Sequence, residues 1–374
     1  MWSGVMMKLL AVLAILGLAV VGVFAFGVVK CSGPASEAPP SAQPATPQAR
    51  AAAPAPAFAA DEALLRPEGQ AEPRPIMQAQ VVLERLGFSS GVIDGREGRF
   101  FETAVRGFQD ANRLGSTGEI DAATRAALAR WERVPSTREV VIDADFARGP
   151  FVAIPRDPQA QARLSAMSYG DAMEKLAERF HTTPETIQAL NPSGLELKAG
   201  ARVTVPNIGN DRIAPGAANE RGWLGTLASL GVASDQPRAA SIVVDKSESV
   251  LKAYDEAGRL IAQFPATMGS EHDPLPIGEW RIRGTAFNPD FHYNPALFWD
   301  ADSSDRRALL PPGPNSPVGV VWIDLSRPHY GIHGTPEPRT IGRTESHGCI
   351  RLANWDAARL AQMVRPGVTA TFRQ

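Results

Sequence analysis

The sequence predicts a multidomain chain: a small three-helix domain, a small α+β domain and a mainly β, sandwich-like C-terminal domain. Three observations predict this. At 374 residues the chain is longer than one hydrophobic core usually supports. Apolar residues recur at helical spacing over 76–131 and again over 164–207. From about residue 240 the pattern changes to short strand-like runs separated by turn residues.

Composition narrows the function classes. Hydrophobic residues make up 44% and charged ones 21%, enough to bury real cores. Lys+Arg (38) and Asp+Glu (40) nearly cancel, leaving a net charge of −2. No basic field exists for phosphate backbones, so nucleic acid is excluded as a partner. The 33 Gly and 32 Pro exceed ordinary usage and belong to linkers and turns. Only two cysteines occur, Cys31 and Cys349, which excludes a disulfide framework.

Residues 1–31 read as a signal or transmembrane anchor. The stretch 9–29 carries no charge and is flanked by Lys8 and Lys30; as a helix it would span about 30 Å, the thickness of a bilayer's hydrocarbon core. Ala25-Phe26-Gly27 offers the alternative of a cleaved signal. Either way the rest of the chain is exported to the periplasm or cell envelope, with the inner membrane as partner if the anchor stays. Cys31, preceded by Lys30, reads as a juxtamembrane residue without a role. Residues 32–75 form a Pro/Ala-rich linker.

In 76–131, Val81, Val82, Leu83 and Leu86, then Ala104, Val105 and Phe108, mark two helices. Turn residues at Gly91, Asp94, Gly95 and Gly98 separate them, and Asp121 is placed to cap a third. The order G-V-I-D-G, G, A-V-x-x-F-Q, T-G-E-I-D-x-x-T resembles the peptidoglycan-binding domain 1 family. In 164–207, Leu176, Ala177 and Phe180 share a helical face, Ile187 and Leu190 follow, and 202–206 ends as a strand. Y-G-D-A-M-E-K-L-A-E-R-F, I-Q-A-L-N-P and A-G-A-R-V-T-V-P resemble a LysM module, although its first strand is hard to see. The two resemblances imply glycan strands as partners; the plainer reading of each is a spacer domain.

The third domain, 240–373, has strand-like runs at 241–244, 250–254, 260–264, 279–283 and 318–325. Asp255–Gly258 suits a hairpin turn, and Asn354 stands where it would cap a late helix. Its chemistry is concentrated in 21 residues. Of six histidines, His329, His333 and His347 lie in the window that ends at Cys349. A free thiol is only a few per cent thiolate at neutral pH, and a neighbouring imidazole supplies the proton acceptor, or holds a thiolate–imidazolium pair. Gly348 permits a tight turn that aims backbone N–H groups at a developing oxyanion. On spacing alone, His329-x3-His333 with His347-x-Cys349 also suits zinc, and a packing role for all four is the third reading.

The block I-H-G-T-P-E-P, I-G-R, E-S-H-G-C-I-R-L resembles the L,D-transpeptidase catalytic domain family. The upstream segments P-L-P-I-G-E-W, P-P-G-P-N-S-P-V-G and W-I extend the resemblance over about 130 residues. It implies an enzyme that cross-links peptidoglycan through its stem peptides without a cofactor or metal. By position, Cys349 is the nucleophile and His333 the base and acid; Gly334 orients the imidazole through its carbonyl. His347, Gly348 and Cys349 supply oxyanion N–H groups. Ser346, His347 and Arg351 support the loop, with a substrate carboxylate as the alternative partner of His347 and Arg351; His329 receives no role. The acceptor can be a stem amine, water (an L,D-carboxypeptidase) or a protein amine (a protein-to-wall ligase). A non-catalytic wall-binding protein is the alternative from another class.

Overall fold

A computed structural model describes residues 74–209 and 211–374. The apolar stretch 9–29, Cys31 and nearly all of the Pro/Ala-rich linker lie outside the described residues. Among those described, no helix is long and apolar enough to cross a membrane.

The chain opens with three helices, α1 (Pro75–Arg85), α2 (Arg99–Ala111) and α3 (Ala122–Leu128). Pro75 occupies the first turn of α1, where a missing N–H costs nothing. Asp121 caps α3 as expected: its Oδ1 accepts from the Thr124 N–H at 2.8 Å. Leu83, Phe88, Phe101, Ala104, Val105 and Phe108 form the core of this domain.

Next come β1 (Thr137–Val141), α4 (Ala144–Arg148), α5 (Pro158–Gln161), α6 (Ala172–Arg179), α7 (Pro184–Leu190) and β2 (Arg202–Pro206). Here the structure adds a strand that the sequence does not reveal. β1 pairs antiparallel with β2, from Thr137↔Pro206 to Val141↔Arg202, so the unit begins near 137 and not at 164. β1 has no local signature, because α4, α5 and their loops separate it from the helix pair α6–α7. Leu176, Ala177, Phe180, Ile187, Val203 and Val205 share one core with Met77, Val81 and Ile93 of the first domain. The two small domains are therefore packed together.

The remainder comprises α8 (Trp223–Leu230), β3 (Ser241–Asp245), β4 (Val250–Tyr254), β5 (Leu260–Pro265), β6 (Thr267–Met268), β7 (Gly278–Phe287), β8 (Phe291–Tyr293), β9 (Ala308–Leu310), β10 (Val321–Leu325), β11 (Gly331–His333), β12 (Ile350–Arg351), α9 (Asn354–Met363) and β13 (Thr369–Arg373). The main strands run in the order β5-β4-β3-β13-β7-β10-β11-β12-β6, with β8–β9 as a separate hairpin. The ten residues of β7 serve both halves, pairing first with β13 and then with β10. Alternation along β10 turns Val321, Ile323 and Leu325 inward. They meet Ile242, Val244 and Phe372 of the other half, together with Trp223, Leu227 and Leu230 of α8, in one core. That core thus begins before residue 240, the boundary drawn from sequence.

Asn354 corrects an expectation. It is the first residue of α9, not its cap; Ala353 holds the cap position and makes no side-chain bond. The Asn354 amide instead bonds Val320, Pro314 and Glu178.

A buried polar cluster ties all three domains together. Glu84 of α1 accepts from Arg359 of α9 at 2.7 Å and contacts His181 Nδ1 at 2.9 Å. The His181 ring stacks on Trp355 at 4.9 Å. Burial pushes the Glu84 carboxyl up, but Arg359, His181 and Ser89 together hold it below its ordinary value. Asp356, which accepts from Ser89 at 3.0 Å, is pushed well up by burial and by the Glu84 charge.

Candidate active site

The strands place the catalytic candidates before any side chain is considered. β11 and β12 are parallel, with Ile332↔Ile350 and His333↔Arg351 in register. Cys349, one step earlier, therefore lies beside Gly331. Because side chains alternate along a strand, Cys349, Arg351 and His333 share one face. On the other side of β11, Trp322 pairs with His333 across the antiparallel β10, and the two rings stack at 5.6 Å and 17°. Trp322 had no role in the sequence reading, yet it walls the imidazole and also fills the space that a side chain at Gly331 would need.

His333 is 6% exposed, and its Nδ1 lies 2.7 Å from the Gly334 carbonyl oxygen. A carbonyl only accepts, so Nδ1 carries the proton and Nε2 keeps its lone pair. Burial is the main reason that the imidazole's pKa falls to about 4; the Gly334 carbonyl opposes the fall and the Arg351 charge adds to it. Burial also pushes the Cys349 thiol up, against the Gly331 N–H and Arg351, which favour thiolate. The Sγ–H donates to the His329 carbonyl at 3.7 Å. These shifts favour a neutral thiol beside a neutral imidazole at rest over a preformed thiolate–imidazolium pair. His329 enters through its backbone, held at φ 66°.

The loop before Cys349 is tightly specified. The Ser346 hydroxyl accepts from the Gly269 N–H at 2.6 Å and donates to the Cys349 carbonyl at 2.7 Å. Gly348 has φ 87°, and a Cβ there would lie 2.6 Å from the Tyr330 ring, so only glycine suits the turn. Arg351 donates to the Glu345 carbonyl, bracing the same loop. His347 turns the other way: its Nε2 meets Asp300 Oδ1 at 2.7 Å. Its ring lies against Phe298 and Trp299, with centroids at 4.9 and 5.5 Å. Asp300 and these aromatics belong to the segment between β8 and β9, which therefore reaches over to the loop before Cys349. Trp299 remains 54% exposed.

Residues 239–371 match the family model for the "L,D-transpeptidase catalytic domain". The C-terminal domain is of the L,D-transpeptidase family. Residues 74–128 match a second model, "Putative peptidoglycan binding domain". The chain is 28% identical over 205 residues to the "Putative L,D-transpeptidase YkuD" of Bacillus licheniformis, covering 54% of this chain and 94% of that protein. It is 26% identical over 206 residues to the protein of the same name from Bacillus subtilis, covering 55% and 95%. Among solved structures, an L,D-transpeptidase from Mycobacterium smegmatis aligns with a TM-score of 0.30 at 19% identity, over 36% of this chain and 59% of that one.

Proposed function

We propose that the chain is an L,D-transpeptidase that cross-links or remodels peptidoglycan through a Cys349 thioester. The observation that carries this reading is the parallel β11–β12 register, which sets Cys349 and His333 on one face with the imidazole Nε2 free to accept a proton. The Cys349 sulfur attacks the carbonyl of the amide between the stem's L-centre and its terminal D-Ala as His333 Nε2 takes the thiol proton. N–H groups of the 347–349 loop stabilise the oxyanion. The amide C–N bond then breaks, His333 returns the proton to the leaving amine, and D-Ala departs. In the second half His333 takes a proton from an acceptor amine, the side-chain amino group of diaminopimelate on a neighbouring stem. That amine attacks the thioester and frees the thiol. The neutral resting pair makes the first proton transfer part of the attack.

The first domain's family match supports binding to the wall, and the helix pair α6–α7 packed beside the paired strands β1 and β2 supports a LysM-like glycan contact. Export and anchoring by residues 1–31 would place both at the wall. Incubation with defined muropeptides followed by mass spectrometry tests the reading. D-Ala release with formation of a cross-linked dimer supports it; a trimmed stem without dimer indicates water as acceptor. Unchanged muropeptides contradict it.

A further inference from the structure

The hydrogen-bond chain that sets the tautomer of His333 does not end in the catalytic domain. Asn354, at the start of α9, lies against the Gly334 and Gly319 backbones. A Cβ on Gly319 or Gly334 would fall 1.9 or 2.1 Å from Asn354 Oδ1, so both backbones approach this amide closely only because they are glycine. Asn354 Oδ1 accepts from the Val320 N–H at 3.3 Å. Its Nδ2 donates to the Pro314 carbonyl at 3.0 Å and to Glu178 Oε1 at 2.8 Å. The Gly334 N–H in turn donates to the Val318 carbonyl at 3.1 Å. One amide thus pins both ends of the 314–320 loop, whose Val318 carbonyl holds the Gly334 N–H, and Glu178 supplies one of its two acceptors. Glu178 lies on α6, outside the catalytic domain, and is buried.

We infer that Glu178 is a positioning residue for His333, acting through the Asn354 amide and the Gly334 backbone. The inference rests on the transpeptidase reading above. Two further observations support it. The second domain grips the same loop elsewhere: the Met167 N–H donates to the Pro312 carbonyl at 2.9 Å, and Asn315 Nδ2 donates to Glu174 Oε1 at 2.8 Å. Burial, above all, lifts the Glu178 carboxyl to about 8; Asn354 and Tyr169 oppose this and Glu174 adds to it. At neutral pH the group is thus mostly a neutral acid whose carbonyl oxygen accepts from Asn354 without placing a charge behind the imidazole. The domain that resembles a wall-binding module is accordingly a structural part of the catalytic site.

The experiment compares the wild type, Glu178→Gln and Glu178→Met in the full chain. The rate of acyl-enzyme formation with a carbapenem is followed by intact-protein mass spectrometry over a range of concentrations. Gln keeps the acceptor and should acylate within about twofold of wild type; Met keeps the volume but not the acceptor and should lower the limiting rate by roughly ten- to a hundredfold. The half-saturating concentration should stay within about twofold, since a displaced base affects chemistry more than binding. The proton on His333 Nδ1, read by NMR, should persist in Gln and broaden or disappear in Met, and Glu178→Leu carries the same test if Met does not fold. A folded Met or Leu variant with wild-type limiting rate and Nδ1 proton overturns the inference while leaving the transpeptidase reading intact. A folded wild type that never acylates overturns both.

Discussion

Replacing Glu178 by Gln is expected to stabilise the protein at neutral pH, by an amount that grows as pH rises. In the folded chain the carboxyl has a pKa raised from 4.5 to about 8, chiefly by burial. A group with a raised folded pKa contributes stability that is fully present below its unfolded value and lost as pH rises toward the folded one. The losing window is therefore about pH 4.5 to 8. At about 1.4 kcal/mol per pH unit, holding Glu178 protonated at pH 7 costs roughly 3 kcal/mol. Glutamine retains an oxygen for Asn354 Nδ2 and has no proton to lose. Urea unfolding of wild type and Glu178→Gln at pH 4.5, 6, 7 and 8 reads the difference directly. The two should nearly coincide at the lowest pH and diverge by about 3 kcal/mol at pH 7. Parallel stabilities across the range would refute the reasoning and show that Glu178 ionises normally.

The remaining predictions concern the domain lock and the base. Arg359→Met leaves the buried Glu84 carboxylate without its guanidinium and should cost about 3–5 kcal/mol in denaturant unfolding; a loss below ~1 kcal/mol would show that His181 alone satisfies Glu84. His333 has its pKa lowered to about 4, and protonation removes the acceptor lone pair. The acylation rate should therefore hold as pH falls through 6 and drop only near 4; a limb at the ordinary imidazole value of ~6.5 would contradict the burial argument.

Much of the fold was legible because local patterns there agree with tertiary demands. The strand-like runs at 241–244, 250–254 and 260–264 became β3, β4 and β5 nearly as read, since alternation and the Asp255–Gly258 turn specify the same pairing. What escaped were features whose cause lies far away in sequence. β1 is recognisable only through β2, more than sixty residues later. Asn354 has the chemistry of a helix cap, but its amide is held by Glu178 and Pro314. Within the site, the register of β11 and β12 brings Cys349, His333 and Arg351 to one face, a pairing that sequence spacing does not specify. His347 is turned aside by Asp300, a residue of the β8–β9 segment that carries no motif. The protonation states were not readable at all, because they follow from burial under Trp322 and the neighbouring strands, which spacing does not report.

The most direct test of the central claim is the mass of the enzyme after reaction with a tetrapeptide-stem muropeptide. Wild type should carry an adduct equal to the donor less D-Ala, Cys31→Ala should carry the same adduct, and Cys349→Ala should carry none. An adduct that survives in Cys349→Ala, or is lost in Cys31→Ala, would contradict the assignment of Cys349 as the nucleophile.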